Sequence, residues 1–540
     1  MHVLYVNSCI PTLLKDKLFR VVMNKRVLLT GTSGAMGSQA LKYVLGSKYN
    51  FDIVILLRDK PSNRKYAGKL LKDHDIKVVF GDLANYDDCL KALENVDYVL
   101  HMAAIISPIA DHNRENTHRS NFVGTKNLID VIKNTGRQDV VRFVHISTVA
   151  TYGSRNYKHP WARIGDPLIP AQYDCYAMSK VMGERYVIES GLKYWVNLRQ
   201  TAVLHDKLFT NNMKDGLMFH TNLNGPLEWV TANDSGIMMN HLVEYDLEGK
   251  LDGDFWQKCY NIGGGESQRV TGYDTLNDGF GLCGGRFEQF FETNWNATRN
   301  FHGVWFEDSD TLNDYLNFRT ETFDDFWKQM AKKYWYFAFG KLVPKKLISD
   351  LVIKRLTKDT NAPLYWVNHN VEGRIKAFYG GREKFEQIPS KWEDYPLLRN
   401  GKTPEGDIDY EALRDISNAK KYRLNHGYDE SKSLCDLGIE DLREMAKFRG
   451  GNLISTDMER GKLHDKLLFE CNEGHRFMAT PYAILSGHWC NDCCMKYSWN
   501  WGVQARNNPF FAQVWYDLND YDEVDVYPYF DGEDHFLRKD

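Results

Sequence analysis

The sequence has no apolar run close to the roughly 20 residues that a membrane-spanning helix needs, although 43% of its 540 residues are hydrophobic. It has no excess of one charge sign: 68 basic residues face 72 acidic ones, a formal net charge of −4. That balance excludes a global positive field holding nucleic acid non-specifically, so any such contact must be local. Internal repeats and low-complexity tracts are missing. Cysteine is scarce, 10 residues in 540, which excludes a disulfide scaffold. Six cysteines are scattered and read as buried or free thiols, as in a cytoplasmic protein. The other four, Cys471, Cys490, Cys493 and Cys494, share one short window, and clustering with CxxC spacing reads as metal before disulfide. Residues 1–22 lack a basic n-region, a long apolar core and a small-residue cleavage site, so they do not read as a signal peptide. They read as an upstream extension, with Met23 as the functional start.

What is present is apolar and aromatic material enough for several cores. The length suggests about three domains at roughly 100–200 residues each, and the hydrophobic fraction rules out a mostly disordered chain.

Arg26–Thr30 reads as a strand, followed by GTSGAMG (Gly31, Thr32, Ser33, Gly34, Ala35, Met36, Gly37) and an amphipathic helix over about 38–45. A strand, a glycine turn and a helix N-terminus together make a pyrophosphate site. Glycines 31, 34 and 37, with Ser33, Ala35 and Met36, are the candidate phosphate-binding residues. The second strand, Ile53–Leu57, is followed by Arg58. A carboxylate at this strand end would bind the adenosine ribose of NAD; here the position holds Leu57 and then a cation. Arg58, helped by Arg64 or Lys65, favours the 2′-phosphate of NADP, with Asp59 one residue late and NAD still admissible. A third strand over 77–80 leads to Asp82 and Leu83, candidates for the adenine pocket. Asp82 could equally be an Asx turn. A fourth strand over 98–101 leads to Met102, Ala103 and Ala104, whose small side chains let a cofactor approach. Alternating strands and helices predict an α/β fold, a doubly wound parallel Rossmann sheet.

A fifth strand, Arg142–Ile146, runs into Ser147 and Thr148. Further on comes YAMSK, with Tyr176 and Lys180 four apart and so on one helical face. A phenol has an ordinary pKa near 10; a neighbouring lysine and a cationic cofactor ring lower it. Tyr176 could then exchange a proton with a substrate oxygen while hydride moves, and Thr148, with Ser147 as second choice, would hold that oxygen.

The ordered set GxxGxxG, GDL, HxAA, ST…YG and YxxxK resembles the extended short-chain dehydrogenase/reductase family, which contains nucleotide-sugar epimerases and dehydratases and hydroxysteroid dehydrogenases. The likeness covers roughly residues 23–270 and includes Asn121–Thr125, Arg199 with Thr201-Ala202-Val203, and Tyr260–Gly264. It implies Thr148 as the oxygen-binding hydroxyl, Tyr176 as acid/base and Lys180 as the residue that tunes it and binds the cofactor ribose. Thr201 and Val203 would lie beside the nicotinamide. The family's dehydratases carry an acidic pair after the threonine; here it is Val149-Ala150, which disfavours dehydration. The usual Gly-Pro after the sixth strand is His205-Asp206, which weakens the family's sugar-nucleotide contacts.

Residues 271–400 read as a large α-rich substrate-covering region. Its aromatic clusters, Phe287–Phe291, Trp295, Trp305 and 334–337, are either core or an apolar pocket suited to a bulky, hydroxysteroid-like alcohol. The stretch 332–358 mixes basic and apolar residues. It reads as a segment for weak peripheral contact with anionic lipid, or as a basic surface helix with a buried stripe.

Residues 401–540 form the C-terminal region, with a small zinc module at about 436–495. Cys471-x₃-His475 and Cys490-x₂-Cys493 are two ligand pairs suited to a closed, structural Cys₃His site. Cys494 is read as outside the set and His488 as a poor substitute. The module resembles the GH…WC-x₂-C zinc ribbons found beside nuclease domains, which implies a nucleic-acid contact; the acidic tail 517–540 argues against it.

The combined expectation is a cytoplasmic, homo-oligomeric NADP(H)-dependent oxidoreductase that interconverts a secondary alcohol and a ketone. The alternatives are a nucleotide-sugar epimerase with tightly bound NAD and, from another class, a cofactor-sensing nucleic-acid-binding protein.

Overall fold

The computed structural model of the chain describes residues 25–212, 214–251, 253–494 and 498–528. The expectations for segment 1–22 and for Met23 lie outside the described residues.

Seven parallel strands form the central sheet: β1 (Arg26–Thr30), β2 (Asp52–Leu57), β3 (Lys77–Phe80), β4 (Tyr98–His101), β5 (Arg142–Thr148), β6 (Tyr194–Gln200) and β7 (Lys258–Ile262). Their order is β7-β6-β5-β4-β1-β2-β3, and every pairing is parallel. The chain winds one way from β1 to β3 and the other way from β4 to β7. The switch point therefore lies between β1 and β4, where such sheets bind ligands beyond their carboxyl ends. This is the doubly wound fold expected from the motif order. The strands read as near-continuous apolar runs (VLLT, IVILL, YVLH) because both faces are covered; Val27, Leu28 and Leu29 are all fully buried.

The crossover helices that matter for the site are α1 (Ala35–Leu45), α2 (Pro61–Asp73), α3 (Tyr86–Ala92), α4 (Gly124–Asn134), α5 (Cys175–Ile188) and α6 (Ala232–Leu247). Helix α1 starts three residues earlier than the amphipathic pattern implies, because Gly34 already serves as its N-cap and its carbonyl accepts the Ser38 N–H at 3.0 Å. One side of the sheet packs with α1 and α6 (Ala40, Val44, Met238, Leu242). The other side is continuous with the C-terminal module: a single core joins Leu28, Val99, Leu128 and Met178 to Phe469, Trp489, Trp501 and Phe510. The aromatic cluster of the middle region (Phe287, Phe290, Phe291, Trp295) forms its own core with Met218, Phe219 and Phe280, which is the plainer of the two readings of those rings. Among the described residues no helix is long and apolar enough to cross a membrane.

Candidate active site

A cavity of about 920 Å³ opens at the switch point, within the size range of cofactor-plus-substrate pockets. Its floor is the glycine turn. Gly31 has φ +77, and a Cβ there would sit 2.8 Å from the Ala103 backbone; a Cβ on Gly37 would sit 2.2 Å from the Gly31 carbonyl oxygen. Neither position admits a side chain, so β1, β4 and α1 converge closely and leave the helix N-terminus open to an anion. Gly31, Ser33, Gly34, Ala35, Met36 and Gly37 all line the cavity, as do Arg58, Asp82, Leu83, Met102, Ala103, Ala104, Thr201 and Val203.

Arg58 is exposed at the cavity edge, beside Lys60. The acid one residue on does not oppose it, since Asp59 accepts both Nε (2.6 Å) and Nη2 (2.7 Å) of Arg64. Arg64 is thereby tied up and also lies over the Phe80 ring; neither it nor Lys65 reaches the cavity wall. Asp82 lines the cavity but also forms the plain turn, its Oδ1 accepting the Ala84 N–H at 2.9 Å.

The cavity wall that carries the candidate catalytic residues is built by β5 and α5. Thr148 ends β5 and lines the cavity with Tyr176. Asp174, two residues before Tyr176, caps α5 by accepting the Ala177 N–H at 2.8 Å and so fixes the helix start at Cys175. Burial pushes the Tyr176 phenol up to about 12; the Thr148 hydroxyl beside it lowers it and Asp174 raises it. Val149 and Ala150 are buried after Thr148, and neither can supply a carboxylic acid.

Lys180 departs from its expected place. It is 1% exposed and is not among the cavity-lining residues. Its ammonium instead meets His145 Nε2 at 3.0 Å. His145 Nδ1 lies 2.6 Å from Asn197 Oδ1; donating there leaves Nε2 as the acceptor of the lysine proton. Burial lowers Lys180 to about 7, with Glu184 acting in the opposite sense. In this structure the phenol's acidity is set by burial, Thr148 and Asp174, not by the lysine.

Arg199 also departs from the cofactor side. It is fully buried, donating to Glu184 Oε1 at 2.6 Å and to Tyr152 Oη at 2.7 Å. Glu184, one turn after Lys180 on α5, also accepts from His488 Nε2 at 3.0 Å. Arg199 donates further to the Ser486 carbonyl at 2.7 Å, and Arg185 to the Trp489 carbonyl at 3.2 Å. Burial alone would raise the Glu184 carboxyl; Arg199 and His488 outweigh it and hold the group well below the usual carboxylate range. The C-terminal module is thus bonded to the back of the helix that carries Tyr176.

In that module strands β8 (Leu467–Glu470) and β9 (Arg476–Ala479) pair as a hairpin. Its turn carries Cys471 and His475, and Gly474 supplies the φ +76 that the turn needs. Cys490 and Cys493 flank the start of a short helix, Asn491–Cys494. The four donor atoms lie within 4.8 Å of one another, with Cys471 Sγ to Cys493 Sγ at 3.6 Å and His475 Nδ1 to Cys493 Sγ at 3.2 Å. Two thiolates at about 2.3 Å from a tetrahedral zinc stand about 3.8 Å apart, so the donor set fits that ion. His488 faces Glu184 and is no ligand.

Sequence reasoning missed the far end of the cavity. Asp111, Asp174, His220, His302 and Arg374 converge there from segments more than 200 residues apart, with no local motif to announce them. Burial raises the Asp111 carboxyl to about 6, with Asp174 adding to the effect; His302 Nδ1 stands 3.4 Å from Asp174 Oδ2.

Residues 27–204 match the NAD dependent epimerase/dehydratase family. A human sterol-4-alpha-carboxylate 3-dehydrogenase (decarboxylating) is 23% identical over 231 residues, 42% of this chain and 57% of that protein. An uncharacterized membrane protein of Methanocaldococcus jannaschii is 30% identical over 126 residues, 23% of this chain. The matched stretches span only 36% of that protein and 26% of a trifunctional UDP-glucose 4,6-dehydratase of Arabidopsis thaliana. Among solved structures, the UDP-glucose 4-epimerase of Bifidobacterium longum in complex with NAD+ and UDP has a TM-score of 0.46 at 15% identity, covering 57% of this chain and 99% of that one.

Proposed function

We propose that the protein is an NADP(H)-linked oxidoreductase that interconverts a secondary alcohol and a ketone. The observation that carries this reading is the placement of Thr148 and Tyr176 in one cavity with the Gly31–Gly37 turn. The bound dinucleotide would supply hydride donation or acceptance. The chain's own residues would do the rest. The glycine turn and the α1 N-terminus hold the pyrophosphate. Arg58 and Lys60, free of Asp59, favour an added 2′-phosphate over a bare ribose. Thr148 donates to the substrate oxygen, and Tyr176 gives or takes the proton at that oxygen. Lys180 supports the site from behind its wall through His145. The names of the curated relatives, which include sterol dehydrogenases and sugar dehydratases, support chemistry on a carbinol carbon.

The test is absorbance at the reduced-nicotinamide band with a panel of hydroxysteroids and nucleotide sugars. Tyr176→Phe should lower turnover at least about a hundredfold, the loss of a general acid; near-normal turnover overturns the assignment. A second reading, an epimerase that oxidises and re-reduces one sugar carbon with retained NAD, is favoured by the polar far end (Asp111, Asp174, His302, Arg374), which suits a hydroxyl-rich substrate. Product inversion without net reduced nicotinamide would select it.

For the C-terminal module, the reading is one structural zinc held by Cys471, His475, Cys490 and Cys493. All four positions are protein donors, so none is left open for catalysis.

A further inference from the structure

Segment 332–358 is used by neither the cavity wall nor the metal cluster. It runs from the end of the helix Phe323–Lys333 through short turns at Trp335–Leu342, Lys345–Ile348, Ser349–Ile353 and Lys354–Leu356. Ser349, Ile353 and Thr357, spaced four apart, are buried; Ile353 joins the aromatic core of the middle region and the Ser349 hydroxyl donates to the Phe290 carbonyl at 2.6 Å. That stripe satisfies the segment's need for a core. The opposite side keeps its apolar groups in water: Leu342 is 83% exposed, Trp335 63% and Phe339 60%, with Tyr336, Val343, Leu347, Leu351 and Val352 beside them. Eight of the 17 exposed large hydrophobic residues among the described residues fall between 335 and 352. A soluble surface scatters such groups singly.

The charges of the segment are nearly all of one sign. Lys332, Lys333, Lys341, Lys345, Lys346, Lys354, Arg355 and Lys358 stand against one acid, Asp350, in a chain whose net charge is −4. Indole and phenol rings with a basic surround are the composition that seats at the headgroup level of an anionic bilayer. A protein partner of matching acidity would answer the charge, but not the single-residue apolar protrusions on short turns, which a fluid acyl boundary accepts without a shaped pocket. We propose that this face docks peripherally on membranes rich in anionic lipid, with Trp335, Phe339 and Leu342 entering the headgroup boundary. The docking face is tied to the cavity: Lys333 pairs with Asp206 and the Tyr334 hydroxyl donates to the Asp206 carbonyl, next to His205, which lines the cavity.

The test is co-sedimentation of the full chain with vesicles of phosphatidylcholine alone and of phosphatidylcholine with about a third phosphatidylserine. Binding should need phosphatidylserine and weaken with salt. Each basic residue near such a surface contributes about a fivefold factor in affinity. Lys346→Glu/Lys354→Glu/Arg355→Glu together should lower binding at least a hundredfold, and Trp335→Ser/Leu342→Ser at least tenfold, with the circular dichroism spectrum and the thermal midpoint unchanged. Absence of binding to phosphatidylserine vesicles, or binding that both variants retain, overturns the proposal. So does concentration-dependent self-association that Leu342→Ser abolishes without any vesicle binding, which would make a second copy the occupant.

Discussion

Lys180→Met should stabilise the ligand-free protein. The lysine is fully buried and its pKa falls from the ordinary 10.5 to about 7, chiefly through burial, so the folded state resists holding the charge that the unfolded chain carries freely. That displacement corresponds to roughly 5 kcal/mol at pH 7 and below, at about 1.4 kcal/mol for each tenfold change in proton affinity. Methionine of similar reach loses the contact with His145 Nε2, worth about 1 kcal/mol, so the expected net gain at pH 7 is roughly 2–4 kcal/mol. The sign with pH follows from proton counting. Between pH 7 and 10.5 the unfolded lysine binds a proton that the folded one has lost, so wild-type stability from this group rises with pH. The penalty is full below about 7 and vanishes above 10.5. Urea denaturation of wild type and variant at pH 7 and at pH 10.5 reads the difference directly. A midpoint for the variant at or below wild type at pH 7 refutes the reasoning, and so does a gain of the same size at both pH values, which would make it an effect of packing rather than of charge.

Arg58→Ala should weaken NADP binding at least tenfold more than NAD binding, read by fluorescence titration of each cofactor; equal losses would mean that the guanidinium does not discriminate. Chelation, or Cys490→Ser, should release one zinc per chain by elemental analysis and make residues 436–495 the first to exchange amide hydrogens, because metal binding and folding of such modules are one event; a protein purified without zinc removes the assignment. Glu184→Gln should cost about 3–5 kcal/mol in urea, since it strands the buried Arg199 charge. The depressed Glu184 carboxyl contributes stability that is present above its ordinary pKa near 4.5 and lost as pH falls further. The variant's unfolding curve should therefore depend less on pH below 4.5; parallel acid curves would contradict the pairing.

The cofactor half of the site was readable in the sequence because its determinants are local. A glycine turn constrained by its own neighbours, a strand before it and a helix after it leave a signature of a few contiguous residues, and Gly31 and Gly37 sit where close backbone approach demands them. Thr148 and Tyr176 could be placed from spacing alone, as both occupy the ends of elements in the predicted order. Lys180 and Arg199 could not, because the direction of a long side chain depends on what stands behind it. His145 on β5 and Glu184 on α5 compete successfully for those two cations, and nothing in the YxxxK spacing encodes that outcome. The far end of the cavity was hidden for another reason: Asp111, His302 and Arg374 meet only through the long connections of the fold, and each alone looks like an ordinary polar residue.

The C-terminal module changes meaning once its contacts are known. From sequence it is an appended ribbon, separable from the chemistry. In the fold, His488 lies two residues before Cys490 and donates to Glu184, while the carbonyls of Ser486 and Trp489 accept from Arg199 and Arg185. Three interactions therefore bind the 486–490 turn to the rear of α5 and to β6, and the same core unites Cys471, Cys490 and Cys493 with Val187 and Trp195. A helix of 14 residues with cavity-lining Tyr176 near its start and a wholly buried ion pair at its middle cannot shift to relieve a lost partner, because Glu184 and Arg199 would then be left charged in a dry interior. Holding the 486–490 turn in place therefore holds α5 in place. On this geometry the Cys471, His475, Cys490 and Cys493 cluster acts as a brace for the helix that bears cavity-lining Tyr176, which gives the module a reason to be packed against the parallel sheet.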